Sequence, residues 1–390
     1  MTLYSTAAER EDAERLLEIC SSVVALPLSR KRALWNSLKA LPSNTPLQAD
    51  YCWQPALAIE LDRVLRNGYD QWEAFDIIHV EHLRGARYAL HAKQLLARSN
   101  QPATPVVWDS VDSISLLFSE AAQKSEQLFG RAVTRFELKR TERYEAMVAE
   151  QLSHILLTSQ RDKEKFVSLL PPEASTAKEA SIHVIPNGVD LEYFQPGASI
   201  VREPASLVVS GKMSYHANIA MVHYLVREIM PLVWAGRPDA RLSIVGKDPG
   251  SDIQNLAQHP QIEVTGYVED MRHYLQRATA AIAPLTYGAG IQNKVLEAMA
   301  CATPVVTSPS ALKPLSAVAG RDLLVANSPE EYAKNILTLL NNPIKSREIG
   351  WNGRRFVEAN HDWDRTTADL ERVYQGAIDQ QSVVTEALLD

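Results

Sequence analysis

The sequence has few cysteines, no long apolar run and no surplus of positive charge. Its three cysteines, Cys20, Cys52 and Cys301, lie far apart among 390 residues and form no CxxC pair. We therefore expect a reducing compartment, with neither a disulfide framework nor a structural zinc site. No stretch approaches the roughly 18 consecutive apolar residues of a membrane span, and residues 1–20 lack the basic and apolar segments of a secretory signal. These absences predict a cytoplasmic protein.

The charge balance excludes one class of partner. Forty basic residues stand against forty-seven acidic residues, which gives a net charge of −7. A sequence-independent nucleic-acid binder usually needs a basic surplus to neutralise phosphates, so no nucleic-acid partner is expected. Apolar residues make up 46% of the chain, which is ordinary for a globular protein, and the length predicts two domains at about 100–200 residues each.

Short apolar runs alternate with helix-period segments along nearly the whole chain. This alternation predicts βα units and parallel sheets, and therefore an α/β fold. Asn218 is a candidate N-cap for an amphipathic helix over 218–233, and Ser328 with Pro329 is a cap-then-proline signature. The predicted strands lie at 2–5, 21–26, 76–80, 105–109, 154–159, 183–186, 206–211, 241–246, 262–267, 280–285, 304–308 and 322–326.

A segment rich in proline and glycine, 187–206, separates two series of six runs each. We interpret it as an interdomain linker between an N-terminal domain over 1–187 and a C-terminal domain over 188–359. The carboxyl ends of parallel strands are where such sheets bind ligands, so the loops after the strands are the first place to search for a site.

The densest cluster of chemical signals lies at 287–308. A small-residue turn of Gly288, Ala289 and Gly290 follows a strand and opens a helix that carries Lys294 and Glu297. Glycines there let backbone N–H groups approach an anion, while a cation and a carboxylate on one helix face suit phosphates and ribose hydroxyls. The alternative is a glycine turn followed by a surface Lys–Glu pair.

Three further loops follow predicted strands of the second series. Each alone is a weak signal, but four loops at the same end of one sheet together predict a nucleotide site. Their candidate binding residues are Gly211 and Lys212 in SGKM, Gly246 in VGKDPG, and Tyr267 and Val268 in TGYVED.

These motifs, together with IPNGVDLEYFQP at 185–196 and KVLEAMACATPVVTS at 294–308, occur in the order seen in glycosyltransferase family 4. The chain resembles that family over about 183–358, and its sequence there is similar to a subgroup associated with exopolysaccharide assembly. The resemblance over residues 1–182 is looser. The resemblance to the family implies a GT-B architecture of two facing Rossmann-like domains. It also implies that the segment 360–390 packs back on the first domain.

The resemblance also implies a function and roles for the candidate residues. The expected reaction is retaining, metal-independent transfer of a hexose-type sugar from a nucleotide diphosphate sugar to a saccharide or lipid-linked acceptor, with no cofactor. Glu297 would hold the donor ribose, Lys294 and Lys212 would neutralise the diphosphate, and Tyr267 with Val268 would line the base pocket. Backbone donors would come from Gly288, Gly290 and Ile291, with the loop at Gly246 alongside.

Two departures from the family pattern bear on whether the chain is active. Ala289 stands where members carry the first glutamate of a paired-glutamate motif. The usual opening βα unit is absent before TLYST, so we expect the first sheet to lack a central strand. Both departures favour the alternative function, a non-catalytic nucleotide- or partner-binding protein of a polysaccharide assembly complex. A sugar-nucleotide epimerase would need extra acid and base residues that the sequence does not offer.

Two residues of the first domain are candidate catalytic groups. Asp112 follows PVVWD near the position where many members place a histidine, and His82 closes another strand. Asp112 would act as a polar contact or base, with helix capping as the alternative; for His82 the alternative is a structural role.

Three segments remain. The basic amphipathic segment 26–42 fits peripheral contact with anionic lipid at the inner membrane surface, or else a core-facing helix with a solvated basic face. The mixed-charge segment 131–145 predicts a solvated helix face. Asp362 and Asp364 have the spacing of a metal-binding pair but predict a helix start, and we expect no metal site.

Overall fold

The computed structural model describes residues 1–67, 75–98, 104–124, 128–197, 201–285 and 290–387. The chain divides into two compact units. Unit 1 comprises Met1–Ile185 and Leu370–Asp390, and unit 2 comprises Pro186–Asp369.

Unit 1 contains a four-stranded parallel sheet of order β3-β4-β5-β6 and a separate parallel pair, β1-β2. All four residues of β5 are buried, as expected for a strand covered by helices on both faces of a sheet. The strands are β1 Thr2–Tyr4, β2 Ala25–Pro27, β3 Ile78–Glu81, β4 Val106–Val111, β5 His154–Leu157 and β6 Ile182–Val184.

Several helices of unit 1 begin with a side-chain cap. Thr6 and Glu9 form a capping box at the first helix, and Ser159 caps the eighth through the N–H of Asp162. Trp108 of β4 is fully buried and packs against Phe166, with ring centroids 5.7 Å apart. The helices are α1 Ala7–Arg15, α2 Arg30–Ala40, α3 Leu47–Tyr51, α4 Pro55–Asn67, α5 His82–Leu96, α6 Ile114–Lys124, α7 Leu128–Gln151, α8 Gln160–Leu169 and α9 Pro172–Glu179.

The mixed-charge segment 131–145 lies in α7 and has two faces. Arg135, Lys139 and Arg143 are exposed, in agreement with the predicted solvated face. Glu137, Arg140, Thr141 and Glu145 are buried, which periodicity could not identify because this buried stripe is polar.

Unit 2 contains a six-stranded parallel sheet of order β12-β11-β10-β7-β8-β9. Strand order runs in one direction from β7 to β9 and in the other from β10 to β12, so the topological switch point lies between β7 and β10. The strands are β7 Ser206–Ser210, β8 Arg241–Val245, β9 Ile262–Gly266, β10 Ala280–Ala283, β11 Val305–Thr307 and β12 Leu324–Val325.

The helices of unit 2 confirm one predicted cap and correct another. Ser328 accepts from the N–H of Glu331 at 3.3 Å and caps the helix that opens with Pro329. Asn218 is not an N-cap, because its helix begins two residues earlier at His216. The helices are α10 His216–Tyr224, continued by a π-helical segment Leu225–Ile229 into α11 Met230–Gly236, then α12 Ser251–Gln254, α13 Arg272–Arg277, α14 Asn293–Ala300, α15 Pro309–Leu312, α16 Pro329–Asn341, α17 Pro343–Asn360 and α18 Trp363–Ala387.

Helix α18 starts in unit 2 and belongs to unit 1 from Leu370 onward. Within unit 1, Ala377 packs on Val107 and Leu156 of the sheet, and the Tyr374 hydroxyl lies 2.8 Å from Nδ1 of His79. The predicted α/β fold with parallel sheets in two domains is confirmed. Within the described ranges, no helix is long and apolar enough to cross a bilayer.

Candidate functional site

The candidate binding residues of unit 2 gather at the carboxyl ends of four adjacent strands. Gly211 and Lys212 follow β7, Gly246 follows β8, and Tyr267 follows β9. β10 leads toward α14, and β7 lies directly between β8 and β10. This is the switch point, where a crevice opens outside the strand ends of a parallel sheet.

Glycine is required where the loops after β7 and β8 meet. Gly211 and Gly246 have φ angles of +148° and +151°, and a Cβ on Gly246 would lie 1.7 Å from the carbonyl oxygen of Gly211. No side chain fits that contact. The N–H of Gly211 donates to Val245 and that of Met213 to Lys247, at 3.0 and 2.9 Å. These bonds fix the backbone that carries Lys212.

Asn218 joins two predicted cations, a role that sequence reasoning missed. Its Nδ2 donates to the carbonyl of Lys212 at 2.9 Å, and its Oδ1 accepts from Nζ of Lys294 at 2.6 Å. Asn218 is 5% exposed. A polar residue in an otherwise apolar first turn of α10 was the available signal, and we interpreted it as a cap instead.

Lys294 and Glu297 share α14 and are both partly buried. Burial lowers the pKa of Lys294 to about 8, with Glu297 acting in the opposite direction. Burial also raises the pKa of Glu297, opposed by Lys294. Among the described residues, neither the Lys294 ammonium nor the Glu297 carboxylate forms an ion pair within 4 Å, with each other or with a third residue. Both groups therefore remain available to a ligand.

The turn before α14 is described in part. Gly288 and Ala289 lie outside the described residues. Gly290 accepts from Nε2 of Gln292 at 3.0 Å, and Ile291 is buried. Gln292 occupies the N-cap position but its side chain makes no capping bond, which leaves the first N–H groups of α14 to face a ligand.

The two residues predicted to line a base pocket differ in exposure. The side chain of Tyr267 is 73% exposed, so its ring is available for stacking. Val268 packs partly against the core of unit 2, which leaves its backbone as the group that a base would meet.

In unit 1, His82 and Asp112 follow the adjacent strands β3 and β4. Both strands end in strained backbone, with φ of +62° at His82 and +67° at the β-branched Val111. Such strain is maintained only where the surrounding structure enforces it, as at many functional sites. Trp108 donates to the carbonyl of His82 at 3.1 Å, which holds the first of these turns.

Asp112 is held by Thr158, whose hydroxyl donates to its Oδ1 at 3.1 Å. Burial raises the pKa of Asp112, while the Thr158 hydrogen bond and His82 favour its charged form. The alternative of helix capping is wrong, because Ser113 accepts from the N–H of Leu116 at 3.2 Å and caps α6.

Two buried carboxylates fix the turn that carries Asp112. Asp162 accepts from the N–H of Ser113 at 2.8 Å, and Glu145 accepts from the N–H of Ser115 at 3.2 Å. Burial raises the pKa of Glu145 to about 7. Sequence reasoning missed both residues, since their partners are brought together only by the packing of α7 and α8 beside β4.

Sequence reasoning also missed Asp109, a partly buried carboxylate of β4. Asp109 lies 3.8 Å from Nε2 of His79 and accepts from the N–H of Val111 at 2.9 Å. Burial raises the pKa of Asp109, against the effect of His79.

Asp362 accepts from the N–H of Asp364 at 3.2 Å, which confirms the predicted helix start at α18.

Comparison with known proteins finds a family model and curated relatives that are similar to part of this chain. Residues 204–342 match the family model described as glycosyl transferases group 1. The chain is 26% identical over 245 residues to an MMP alpha-(1->4)-mannosyltransferase of Mycolicibacterium hassiacum, covering 59% of this chain and 56% of that protein. It is 30% identical over 211 residues to a GDP-mannose-dependent monoacylated alpha-(1-6)-phosphatidylinositol monomannoside mannosyltransferase of Corynebacterium glutamicum, covering 49% and 55%.

The chain spans about half the length of these curated relatives. Among solved structures, Anabaena Alr3699/HepE in complex with UDP matches with a TM-score of 0.66 at 13% identity, over 96% of this chain and 91% of that chain. Sucrose-phosphate synthase from Thermosynechococcus elongatus matches with a TM-score of 0.60 at 20% identity, over 84% and 78%. Residues 204–342 of unit 2 therefore resemble the glycosyl transferases group 1 family, and the chain has the two-domain α/β fold of GT-B glycosyltransferases.

Proposed function

We propose that this chain is a glycosyltransferase that moves a hexose-type sugar from a nucleotide diphosphate sugar to a saccharide or lipid-linked acceptor. One observation carries the proposal: Asn218 joins the backbone carbonyl of Lys212 to the ammonium of Lys294 at the switch point of the unit 2 sheet, with Glu297 one helical turn beyond. The activities named for the two relatives described above support the same chemistry.

In such a transfer, negative charge develops on the departing nucleotide diphosphate. Lys212 and Lys294, with the free N–H groups at the start of α14, supply fixed positive potential for that charge. Exposed Lys247, in the loop after β8, adds a third cation at the same edge. We propose that these groups replace a metal, that no cofactor takes part, and that the sugar keeps its anomeric configuration.

The remaining groups of unit 2 position the nucleoside. The partly buried carboxylate of Glu297 accepts hydrogen bonds from two ribose hydroxyls, for which it has no competitor among the described residues. The exposed ring of Tyr267 and the backbone of Val268 flank the base. Gly211 and Gly246 keep the approach to the phosphates open.

In unit 1, Asp112 and His82 serve the acceptor. Burial makes the Asp112 carboxylate a stronger base than an exposed aspartate, which suits it to receive a hydroxyl proton. Exposed His82 is close enough to favour the charged form of Asp112. Thr158 fixes the carboxylate that would meet the acceptor.

We further propose that α2 contacts an anionic membrane. Leu34, Trp35, Leu38 and Leu41 are 47–62% exposed, so these side chains do not face the core. The helix carries Arg30, Lys31, Arg32 and Lys39 and no acidic residue. Exposed apolar groups flanked by cations are the pattern of a helix that lies in a lipid interface. The pattern supports our proposal that the enzyme acts at the cytoplasmic membrane surface, in the assembly of polysaccharide or glycoconjugate precursors.

The test is incubation of the full chain with UDP-, GDP- and ADP-sugars, followed by measurement of nucleotide release and of thermal stability. We expect the nucleotide with one of these three bases to raise the thermal stability of the protein. The corresponding nucleotide sugar should be hydrolysed slowly when no acceptor is present. Stabilisation without turnover, even with glycan or lipid-linked acceptors present, would favour the alternative of a non-catalytic nucleotide-binding protein. Neither stabilisation nor hydrolysis with any nucleotide would refute the transferase proposal.

A further inference from the structure

Unit 1 contains a cavity of about 630 Å³ that the strand-end loops do not form. It lies among α2, α3, α5, α7 and the turn after α3, and we call it the α2 pocket. The lining residues that matter here are Arg32, Trp35, Lys39, Asp50, Trp53 and Arg87. Neither the proposed donor site nor the proposed acceptor base includes any of them.

The turn that forms one wall is fixed by side chains that bond to its backbone. Asn36 donates from Nδ2 to the carbonyl of Trp53 at 2.8 Å. The buried hydroxyl of Tyr88 accepts from the N–H of Gln54 at 2.7 Å and donates to the carbonyl of Cys52 at 3.0 Å. Burial raises the pKa of Tyr88 to about 12, so this hydroxyl stays protonated.

The end of α2 is fixed in the same manner from α7. Buried Arg140 donates to the carbonyls of Ala40 and, at 2.7 Å, Ser43, and pairs with Glu137 at 3.1 Å. Glu137 in turn accepts from the N–H of Leu47 at 2.9 Å. The pocket is therefore largely formed before any ligand binds, which is usual for small-molecule sites.

The lining combines an excess of positive charge with aromatic faces. Arg87 pairs with Asp50 and stacks over Trp53, with its guanidinium carbon 3.9 Å from the ring centroid. Lys39 lies 5.3 Å from the centroid of the Trp35 ring. With Arg32, this makes three cations against one carboxylate.

That chemistry selects a ligand with an anionic group and a ring. Guanidinium and ammonium groups bind phosphate oxygens, and arginine does so in a fixed fork geometry. Indole faces pack on the C–H faces of a saccharide ring, and the amides and hydroxyls of the wall suit its hydroxyls. A nucleic acid is disfavoured, because a cavity of this volume admits only a small unit.

We propose that the α2 pocket binds a phosphate-bearing saccharide. Identifying this ligand as the acceptor rests on the proposed function, whereas its binding to the pocket does not. The exposed leucines Leu34, Leu38 and Leu41 lie on α2 or directly after it, and α2 also carries three of the lining residues named above. The phosphate can therefore reach the pocket on a lipid or in solution.

The experiment measures probe binding to the full chain by titration calorimetry, with the donor site saturated by the nucleotide that stabilises the protein. The soluble probe is glucose 1-phosphate, with methyl α-glucoside and inorganic phosphate as its two halves. The lipid-borne probe is a phosphatidylcholine vesicle containing phosphatidylinositol, a phosphorylated ring on a lipid. The variant is Lys39→Met, and the matched control is Lys139→Met, at an exposed lysine of α7 that does not line the pocket.

We expect glucose 1-phosphate to bind more tightly than either half. Lys39→Met should weaken this binding about five- to tenfold, while Lys139→Met should change it less than twofold. Vesicle binding with the same variant pattern identifies a lipid-borne ligand, and soluble binding alone identifies a free one. Equal effects of the two variants on both probes, or no binding of either probe, would overturn the proposal. Because nucleotide binding is measured separately, its failure would affect the proposed function alone.

Discussion

Burial sets the chemistry of individual residues at the switch point of unit 2. Lys294 and Glu297 are three residues apart on α14, yet each is shifted toward its neutral form by desolvation. Asn218 accepts a hydrogen bond from the Lys294 ammonium but brings no negative charge to neutralise it. An anion that enters this site therefore meets a cation that is already positioned and has little water to lose.

Glu297→Ala should weaken binding of the donor nucleotide by at least about thirtyfold, because two hydrogen bonds to a charged carboxylate are lost. Asp362→Ala is the matched control, since Asp362 only caps α18. Its affinity should stay within twofold of the wild type, as measured by calorimetric titration. Equal losses in the two variants would show that the nucleotide binds elsewhere.

The affinity for the nucleotide should fall as pH rises above 8, because Lys294 has a pKa of about 8 and releases its proton there. A bound phosphate favours the protonated form, so affinity should decrease up to about fivefold between pH 8 and pH 9. Lys294→Arg keeps its charge over this range and should remove that decrease. Parallel pH profiles for the wild type and Lys294→Arg would contradict this role for Lys294.

Among the secondary-structure elements, α2 and α7 differ most from an ordinary amphipathic helix. α2 leaves Leu34 and Leu38 at least half exposed, whereas α7 buries Glu137, Arg140 and Glu145. The exposed leucines of α2 leave apolar surface for a partner. The buried polar side chains of α7 hydrogen-bond to neighbouring loops and hold them in place. Neither follows the rule that apolar residues face the core.

Replacing Leu34 and Leu38 by serine should reduce association with vesicles that contain anionic lipid at least fivefold, because the apolar part of the interfacial contact is removed. Vesicle sedimentation measures this directly. Leu232→Ser, at a 39% exposed leucine of unit 2, should leave sedimentation unchanged. Sedimentation of the double variant at the wild-type level would exclude α2 as the membrane contact.

Glu145→Gln should change stability in a pH-dependent way. The folded protein holds a proton on Glu145 up to about pH 7, while the unfolded chain releases it near 4.5. Ionised Glu145 therefore costs the wild type about 3 kcal/mol above pH 7, a cost that disappears as pH falls to 4.5. Urea unfolding should show that the free energy of unfolding of the variant rises relative to that of the wild type by about that amount between pH 4.5 and pH 8. Glu150→Gln, at an exposed site of α7, should show no such trend.

For the molecule as a whole, the overall charge and the local charge have opposite signs. The chain carries −7, yet cations from three loops of unit 2 and three cations of the α2 pocket each concentrate positive potential. A small anion is attracted to these places, while a long polyanion would meet a predominantly negative surface. The assignment of donor binding to unit 2 and acceptor binding to unit 1 stays a prediction.

Hydrogen–deuterium exchange of the full chain tests that assignment. The nucleotide that stabilises the protein should slow exchange in unit 2 at 211–216, 246–250, 266–268 and 290–297, because these amides lie in the loops that would surround it. Peptides of β3 to β6 in unit 1 should be unaffected. Protection centred on unit 1 would contradict the assignment, and glucose 1-phosphate should protect only the turn at 50–55 and α2.

The sequence by itself determined the α/β class and the order of the elements. Each of the twelve predicted runs overlaps a strand. For strands such as β5, β7 and β10 the reason is burial on both faces, which requires apolar residues along the length and leaves a continuous signal. The loops that hold Gly211, Gly246 and Lys294 were found for a similar local reason, since a glycine or a cation after a strand is visible in the chain.

Only the tertiary structure decided which of these groups meet. The contact of Gly246 with Gly211, the bridge from Lys294 through Asn218 to Lys212, and the α2 pocket all join residues from different elements. Periodicity reports whether a side chain faces inward, but not which distant side chain it meets there. Asn218 and Glu145 were therefore misread from the sequence, because a polar residue on an inward face acquires its meaning only from its partner.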